Sequence, residues 1–546
     1  MRIFLTEEKE HSDHPTKAHL LLRWGVLAFL VTVAVSEIIM NFTPPVSRDA
    51  LIHHLAIPKL YVKKGLFHNL PFSIPSYYPM NLDLLYWAVL RMGAETPAKF
   101  IHMSFGLGTA ILIFFHLRRE SSETAAWLGS MFFFTTPIIV KLSTAVYVDL
   151  GFIFFSTLAV LSLLRWHSEG FRRRWLLLAI AGSGLAMGTK YSGILLLPLL
   201  TAVVVRLRVS GGGGSASALR DALVFTAGSL MLFLPWCIKN VLQTGNPLYP
   251  LFLSVLGGPE YVSYGPVPGA LLYRKWMYGE QWWQTLLAPL RMFFQGQDDV
   301  PRYFDGVLSP ALVVFLPIVL WRGGPRYRWL LFGFCVLYGT FVFFRGGDIR
   351  VRYILPLVPF LAILAAQGVV RFWRLLQGHP VARAALGFLV VALMVQNSAY
   401  CLDFFRKVDP MPLVRGKETR EEYIRRRVPD YSIMSYANAH LPEDTRILFL
   451  FMGNRGYYCE RDYVYDTYFS GESFRRVIAS SCSADDILKY LESQRITHIL
   501  LNKRLTLDFF HNNLQPEKER NLHYFLKKYV EPVRVEGTYY LLQVKR

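Results

Sequence analysis

Apolar runs long enough to form membrane-spanning helices recur along the first 400 residues, and short polar segments separate them. A helix of roughly 20 predominantly apolar residues crosses the hydrocarbon layer of a bilayer. The pattern therefore predicts an α-helical polytopic membrane protein. We expect about eleven spans, at residues 20–40, 98–117, 124–140, 150–164, 175–189, 192–205, 219–235, 307–320, 329–344, 354–370 and 381–400.

The first long polar segment, residues 41–97, contains two stretches with helical character. In residues 47–61, Asp49 and His53 are four apart and share one helix face, while apolar side chains lie on another. This spacing predicts an amphipathic helix in the interfacial plane of a membrane. Residues 77–92 are apolar but short, which favours an interfacial or re-entrant helix over a span. The alternative for the first stretch is a plain connector in which Asp49 only places a charge at a helix N-terminus.

After residue 400 polar and charged residues replace the apolar runs. Strand-like and helix-like stretches then alternate, which predicts a small α/β domain. We therefore expect a transmembrane domain at residues 1–400, with long outer loops at 41–97 and 236–304, and an extracytoplasmic domain at 401–546.

Composition and charge support a membrane location and argue against nucleic-acid binding. The chain has 546 residues, of which 53% are hydrophobic and 15% aromatic, and its mean hydropathy is +0.29. Its net charge is +20, but the basic residues cluster in short loops between apolar runs, as the positive-inside rule describes. The rule and the odd number of spans place the N-terminus in the cytoplasm. They place the first long loop and the C-terminal domain outside the cytoplasmic membrane.

Acidic and basic residues also occur at span ends on the predicted outer face, where Lys and Arg are usually scarce. Lys190, Arg350 and Arg352 could hold an anionic lipid phosphate, or they could simply balance nearby carboxylates. Asp149 begins the fourth span, where it could cap the helix or, together with Asp49, form an acid–base or metal site. The sequence spacing does not show that the two aspartates approach each other.

Histidines and cysteines give weaker signals. His53 and His54 could ligate a metal, although packing or hydrogen bonding explains such residues more often. The five cysteines show no metal-ligand spacing. Cys459 and Cys482 could form a disulfide in an oxidising compartment. The sequence leaves the metal requirement open.

Taken in order, short motifs resemble the GT-C superfamily of integral-membrane glycosyltransferases, in the branch of protein O-mannosyltransferases and the lipid A aminoarabinose transferase. The resemblance covers about residues 15 to 400. The motifs that carry it are Arg48-Asp49-Ala50, His54-Leu55-Ala56, Val148-Asp149-Leu150, Lys190-Tyr191-Ser192-Gly193, Trp236-Cys237-Ile238-Lys239-Asn240, Thr244-Gly245-Asn246-Pro247-Leu248-Tyr249-Pro250 and Arg352-Tyr353-Ile354-Leu355-Pro356.

The resemblance implies a polyprenyl-phosphate sugar as donor and an acid of the first outer loop as catalytic residue, which maps to Asp49. The acid of the second outer loop maps to Asp149, which would orient the partner of Asp49 or help bind a cation. The outer-face basic residues Lys190, Arg350 and Arg352 would hold the donor phosphate. Many relatives carry an Asp-Glu pair in the first loop, whereas Ala50 follows Asp49 here.

We therefore expect a glycosyltransferase that moves a sugar to a lipid, glycan or protein acceptor at the outer face, with Asp49 as general base. His53, His54, Lys239 and Tyr353 are assigned to substrate binding. No cofactor is expected with certainty, and a divalent cation stays open. The alternatives are a polyprenyl-lipid or glycolipid flippase, or a non-catalytic envelope assembly protein.

Overall fold

The computed structural model describes residues 17–259, 268–321, 324–344, 346–466 and 471–545. The N-terminal segment predicted to be cytoplasmic, and part of the long loop that follows the seventh predicted span, lie outside these ranges. Within them the chain forms a bundle of apolar helices, followed by a small domain with one β-sheet.

Seven helices in the described part of the chain are long and apolar enough to cross a membrane. Two further helices meet at a bend of 65° and, taken together, make an eighth. The seven helices are Arg23–Asn41 (which starts at Lys17), Thr96–Glu120, Asp149–Ser168, Tyr191–Ser210, Ser215–Thr244, Leu355–Leu375 and Pro380–Val408, and the bent pair is Glu123–Phe134 with Pro137–Ser143.

The other three predicted spans are occupied by shorter helices, so helices stand at all eleven predicted places. These shorter helices are Arg173–Met187, Ala311–Val314 with Leu316–Leu320, and Arg328–Phe344. The helix Ser215–Thr244 continues past Pro235, the residue at which the sequence predicts its end. Proline is tolerated inside membrane helices because neighbouring groups satisfy the freed carbonyl.

Small residues let neighbouring helices approach closely. A Cβ atom added at Gly182 would lie 2.8 Å from the backbone nitrogen of Ala159 and 2.8 Å from the carbonyl oxygen of Phe155. The helices Arg173–Met187 and Asp149–Ser168 therefore touch backbone to backbone, the usual packing of membrane helices. Along the perimeter of the bundle, the helix Ser215–Thr244 exposes large apolar side chains, which is typical of a lipid-facing surface: Leu219, Leu223, Met231, Leu234 and Leu242.

The first long loop folds onto one end of the bundle, and the single helix predicted at residues 47–61 is divided into a π-helical turn and an α-helix. It contains a π-helical turn at Ala50–His54, the α-helix Ala56–Lys64, a 3₁₀ turn at Ile74–Tyr77 and the α-helix Asn81–Arg91. All three apolar residues of the π-helical turn, Ala50, Leu51 and Ile52, are buried, so this segment packs against the protein.

The second long loop contains short helices, which we call the inverted helices because large apolar side chains are exposed on them and charged side chains are buried. They are Leu253–Leu256, Ala270–Tyr278, Trp282–Leu286, Ala288–Gln295 and the 3₁₀ turn Pro301–Tyr303. Trp276 is 84% exposed, whereas Arg274 is fully buried. The Arg274 guanidinium donates two hydrogen bonds of 2.8 Å to Glu280 and lies 3.3 Å from Asp348. Exposed aromatic and buried charged side chains suit an environment of lipid rather than water.

The described residues of the C-terminal domain form five strands: β1 Arg446–Leu450, β2 Asp462–Tyr465, β3 His498–Asn502, β4 Val530–Glu536 and β5 Tyr539–Val544. They make one sheet in the order β2-β1-β3-β5-β4. Strand β1 is parallel to β2 and β3, and β5 is antiparallel to β3 and β4. The helices are Met411–Val414, Arg420–Arg427, Tyr431–His440, Glu472–Ser480, Ala484–Ser493, Lys503–Asn513 and Pro516–Tyr529.

The C-terminal domain is bonded to the first long loop. The amide of Tyr457 donates to the carbonyl of Leu51 at 3.2 Å. Lys59 and Lys63 form ion pairs with Glu460 at 2.5 and 2.6 Å, and further polar bonds join the two parts: Lys64 to Asp462, Tyr458 to Pro45, and Tyr465 to Ser73. Cys459 and Cys482 are both free thiols, so the disulfide that the sequence allows between them is not formed in this structure.

We predict that Gly182→Val destabilises the bundle, because the added side chain meets the backbone of the neighbouring helix. Overpacking of this kind typically costs about 1–3 kcal/mol. Thermal unfolding of the purified protein in detergent should show a lower Tm. Gly25→Val is the matched control, since a Cβ atom at Gly25 meets nothing within 4 Å. Equal Tm values for the two variants would contradict the close packing.

Candidate functional site

Four charged side chains from distant parts of the sequence meet at one end of the bundle. Asp49 precedes the π-helical turn of the first loop, and Asp149 is the first residue of its helix. Lys190 follows the helix Arg173–Met187, and Arg352 lies in a 3₁₀ turn just before the span that starts at Leu355.

Arg352 bridges the two aspartates. Its Nη1 donates to Asp49 Oδ2 at 2.6 Å, and its Nη2 donates to Asp149 Oδ2 at 3.0 Å. Lys190 Nζ donates to the other oxygen of Asp149 at 2.7 Å. The ring of Tyr147 lies beside the guanidinium, 4.6 Å from its central carbon to the ring centroid. These contacts join Asp49, Asp149, Lys190 and Arg352 into one network, which we call the site cluster.

Burial and charge shape the site cluster. The side chain of Asp149 is 1% exposed, and that of Asp49 is 25% exposed. Burial raises the pKa of the Asp49 carboxyl, but the charge and hydrogen bond of Arg352 together with the charges of His53 and His54 outweigh burial, so the net pKa is well below the usual value. Burial likewise lowers the pKa of the Arg352 guanidinium, and the charges of Asp149 and Asp49 reverse the effect, so its net pKa lies well above the ordinary value.

Neither aspartate acts as a helix cap. Asp149 lies in the first turn of its helix, but its carboxylate bonds to Lys190 and Arg352 and makes no capping hydrogen bond. Asp49 occupies the position before the π-helical turn and also makes no capping hydrogen bond. Both residues therefore stand at a helix start, as the helix-terminus alternative expects, and their carboxylates in addition form ion pairs with Arg352.

Two supporting residues escaped sequence reasoning. His102 lies within an apolar span, and its Nε2 accepts the amide proton of Leu150 at 3.0 Å. Its Nδ1 lies 2.9 Å from the carbonyl of Leu142 and 2.8 Å from that of Ala145. His102 thus fixes the start of the helix that carries Asp149. Tyr147 stacks on the guanidinium of Arg352. Its place two residues before Asp149 in the sequence is the signal that could have indicated a position near the site cluster.

The two histidines of the first loop lie close enough to Asp49 to lower its pKa, but they are not part of the ion-pair network around Arg352. His54 Nδ1 is hydrogen-bonded to Asp83 Oδ1 at 2.8 Å, and both side chains are buried. The His53 ring packs on that of His54, with centroids 4.0 Å apart. Burial and the neighbouring His54 lower the pKa of His53 well below its usual value. Its Nδ1 is buried and has no hydrogen-bond partner among residues of the described ranges.

Three more predicted site residues lie outside the site cluster, and Arg350 is the first of them. Its guanidinium pairs with Asp305 at 3.2 Å and with Asp348 at 3.4 Å. Asp348 also pairs with Arg274, so Arg350 is tied to the inverted helices of the second long loop. Its charge is already balanced by two carboxylates.

Lys239 and Tyr353 lie near Tyr78, the residue that follows the 3₁₀ turn Ile74–Tyr77 of the first loop. Lys239 is buried and donates to the carbonyls of Ser76 at 2.6 Å and Tyr78 at 3.4 Å. Tyr353 is half-buried at the end of the 3₁₀ turn that carries Arg352. Burial, and secondarily Tyr353, raises the pKa of Tyr78 to about 12. Lys239 therefore fixes the shape of the loop.

The donor set of the site cluster does not suit a divalent cation. No group of three His, Cys, Asp or Glu side chains in the described part of the chain is arranged to hold a metal ion. The two aspartates have a guanidinium between them, so a cation would need to displace Arg352 and overcome its charge. Carboxylates and fixed cations at one water-accessible edge can instead accept a proton and stabilise an anion.

Comparison with known proteins agrees with this architecture. The family model described as dolichyl-phosphate-mannose-protein mannosyltransferase matches residues 89–244. No curated protein matches the chain in sequence. Among solved structures, ArnT from Cupriavidus metallidurans bound to undecaprenyl phosphate is similar with a TM-score of 0.60 and 13% identity, over 95% of this chain and 97% of that one.

A second similar structure is the oligosaccharyltransferase of Archaeoglobus fulgidus tethered to an acceptor peptide. Its TM-score is 0.51 at 11% identity, over 94% of this chain and 73% of that one. The expected resemblance is confirmed: this chain is a multi-pass membrane protein with the fold of the GT-C superfamily of glycosyltransferases.

Proposed function

We propose that the protein transfers a sugar from a polyprenyl-phosphate-linked donor to an acceptor at the outer face of the cytoplasmic membrane. The observation that carries the proposal is the site cluster, in which Arg352 and Lys190 meet two acids at one end of the bundle. Its support from relatives is the matching mannosyltransferase family and the similarity to an ArnT that binds undecaprenyl phosphate.

In the proposed reaction the acceptor hydroxyl attacks the anomeric carbon of the donor sugar. The bond from that carbon to the phosphate oxygen breaks, and its electron pair leaves with the polyprenyl phosphate. Asp49 accepts the hydroxyl proton, because it is the more exposed of the two acids in the site cluster. Arg352 and Lys190 stabilise the negative charge that develops on the phosphate.

The remaining predicted residues have supporting roles in this proposal. Asp149 holds Lys190 and Arg352 in position from the buried side. His53 and Tyr353 remain candidates for substrate contact. His54 is held by Asp83, Lys239 by backbone carbonyls, and Arg350 by two carboxylates, so we propose that these three position the loops around the site.

The proposed orientation puts the N-terminus in the cytoplasm and the C-terminal domain outside. The end of the bundle opposite the site cluster supports this, because it is rich in arginine. There Glu169 accepts ion pairs from several guanidinium groups, namely those of Arg119, Arg165, Arg172 and Arg174. A flippase would be expected to bind its substrate near the middle of the membrane, whereas the site cluster lies at one end of the bundle.

We predict that Asp49→Asn strongly reduces the rate of sugar transfer while the protein stays folded. Loss of a general base typically lowers the rate about 100- to 10,000-fold. The measurement is transfer from candidate polyprenyl-phosphate sugars by purified protein in nanodiscs, with Tm as the test of folding. Asp299→Asn is the control, since Asp299 is an exposed acid that pairs only with Lys141 and Lys407 within the described residues. Undiminished transfer by Asp49→Asn would refute the assignment.

We predict that Arg352→Lys weakens donor binding more than Arg350→Lys does. A lysine is a single point charge and cannot keep the two-sided contact of the guanidinium. The loss of one charge-assisted hydrogen bond corresponds to about a tenfold rise in the KM for the donor. Equal effects of the two substitutions would instead place Arg350 at the phosphate.

We predict that kcat/KM does not fall between about pH 8 and pH 5 through protonation of Asp49, whose ordinary pKa is about 3.9. Its pKa in the folded protein is lower still, so the carboxylate stays ionised as the pH falls through this window. By the same sign, the stability contributed by its pair with Arg352 is lost only below the window. An acid limb near pH 6 in the kcat/KM profile would contradict this prediction.

A further inference from the structure

The site cluster has no net charge. Arg352 and Lys190 contribute two positive charges, and Asp49 and Asp149 contribute two negative charges. The phosphate of a polyprenyl-phosphate sugar is a diester with a single negative charge, and the polyprenyl phosphate that transfer releases is a monoester with a charge of about −1.5 to −2 at pH 7. A neutral cluster attracts such an anion only weakly, so one carboxylate must give up its cation before the phosphate binds well.

The two aspartates differ in how firmly they are held. Asp149 is 1% exposed and bonded to both Lys190 and Arg352, so its removal from the cations would leave a buried charge. Asp49 has an ion pair with Arg352 alone within the described ranges, and a quarter of its side chain is exposed. Asp49 is therefore the acid whose separation from its cation costs less.

We propose that the phosphate of the lipid donor and the carboxylate of Asp49 compete for Arg352, so that donor binding releases Asp49 from the guanidinium. This inference rests on the proposed function. It also answers a difficulty in that function, because a carboxylate bonded to an arginine is a poor proton acceptor. Once the phosphate takes its place, Asp49 is free to accept the proton of the acceptor hydroxyl.

This replacement of Asp49 by the phosphate at Arg352, which we call the exchange, requires the donor to bind before the acceptor. An acceptor that arrives first meets an Asp49 whose charge is neutralised by Arg352, and no proton transfer follows. A donor that arrives first places its phosphate on Arg352 and frees the carboxylate beside the sugar. The buried Nε of Arg352, which makes no hydrogen bond to any residue of the described ranges, adds a further donor for the incoming phosphate.

The test is the binding of undecaprenyl phosphate, which is the lipid phosphate of the proposed donor without its sugar, to purified wild type and to Asp49→Asn in nanodiscs. Removal of the competing charge leaves the site cluster with one net positive charge, so Asp49→Asn should bind about tenfold or more tightly. Asp49→Ser provides a second neutral variant if the first folds poorly. Asp305→Asn is the matched control, because Asp305 pairs with Arg350 instead of Arg352 and its loss should change affinity little.

The outcomes separate the two proposals. Equal or weaker binding by both Asp49 variants, with clear binding by wild type, would overturn the exchange and leave the proposed function standing. Absence of binding by wild type and variants alike would overturn both. A comparable gain in Asp305→Asn would show a general effect of surface charge and would also overturn the exchange.

Discussion

The buried carboxylate of Asp149 needs positive charge beside it, and the architecture of the site follows from that need. An ionised acid enclosed by protein is stable only when it is paired and hydrogen-bonded. Lys190 and Arg352 supply this from two different inter-helix turns. Arg352 then reaches Asp49 of the first loop, so one charge requirement draws together segments that lie hundreds of residues apart in the chain.

The surroundings reinforce that arrangement through polar contacts at the same end of the bundle. His102 holds the first turn of the Asp149 helix through the amide of Leu150. Asp348 is shared by Arg350 and the buried Arg274, and this ties the segment before Arg352 to the inverted helices of the second loop. Contacts from several different segments therefore hold Asp149 and Arg352 in place.

Much of the fold could be predicted because its determinants are local. Apolar runs and short basic loops reveal helices and their alternation, and the strand-like segments of the C-terminal domain reveal its sheet. The proximity of Asp49 to Asp149 was not local, since it depends on Arg352, which is 303 residues from Asp49. The pairing of His54 with Asp83 also escaped prediction, because the spacing favours an α-helix and the chain makes a π-helical turn there.

The bonds between the C-terminal domain and the first long loop couple the positions of these two parts of the chain. The backbone of Leu51, two residues from Asp49, is bonded to Tyr457, and Lys59 and Lys63 grip Glu460. A movement of the C-terminal domain would therefore also displace the segment that contains Asp49. Replacement of the C-terminal domain by another domain would therefore also require changes in the first long loop that it contacts.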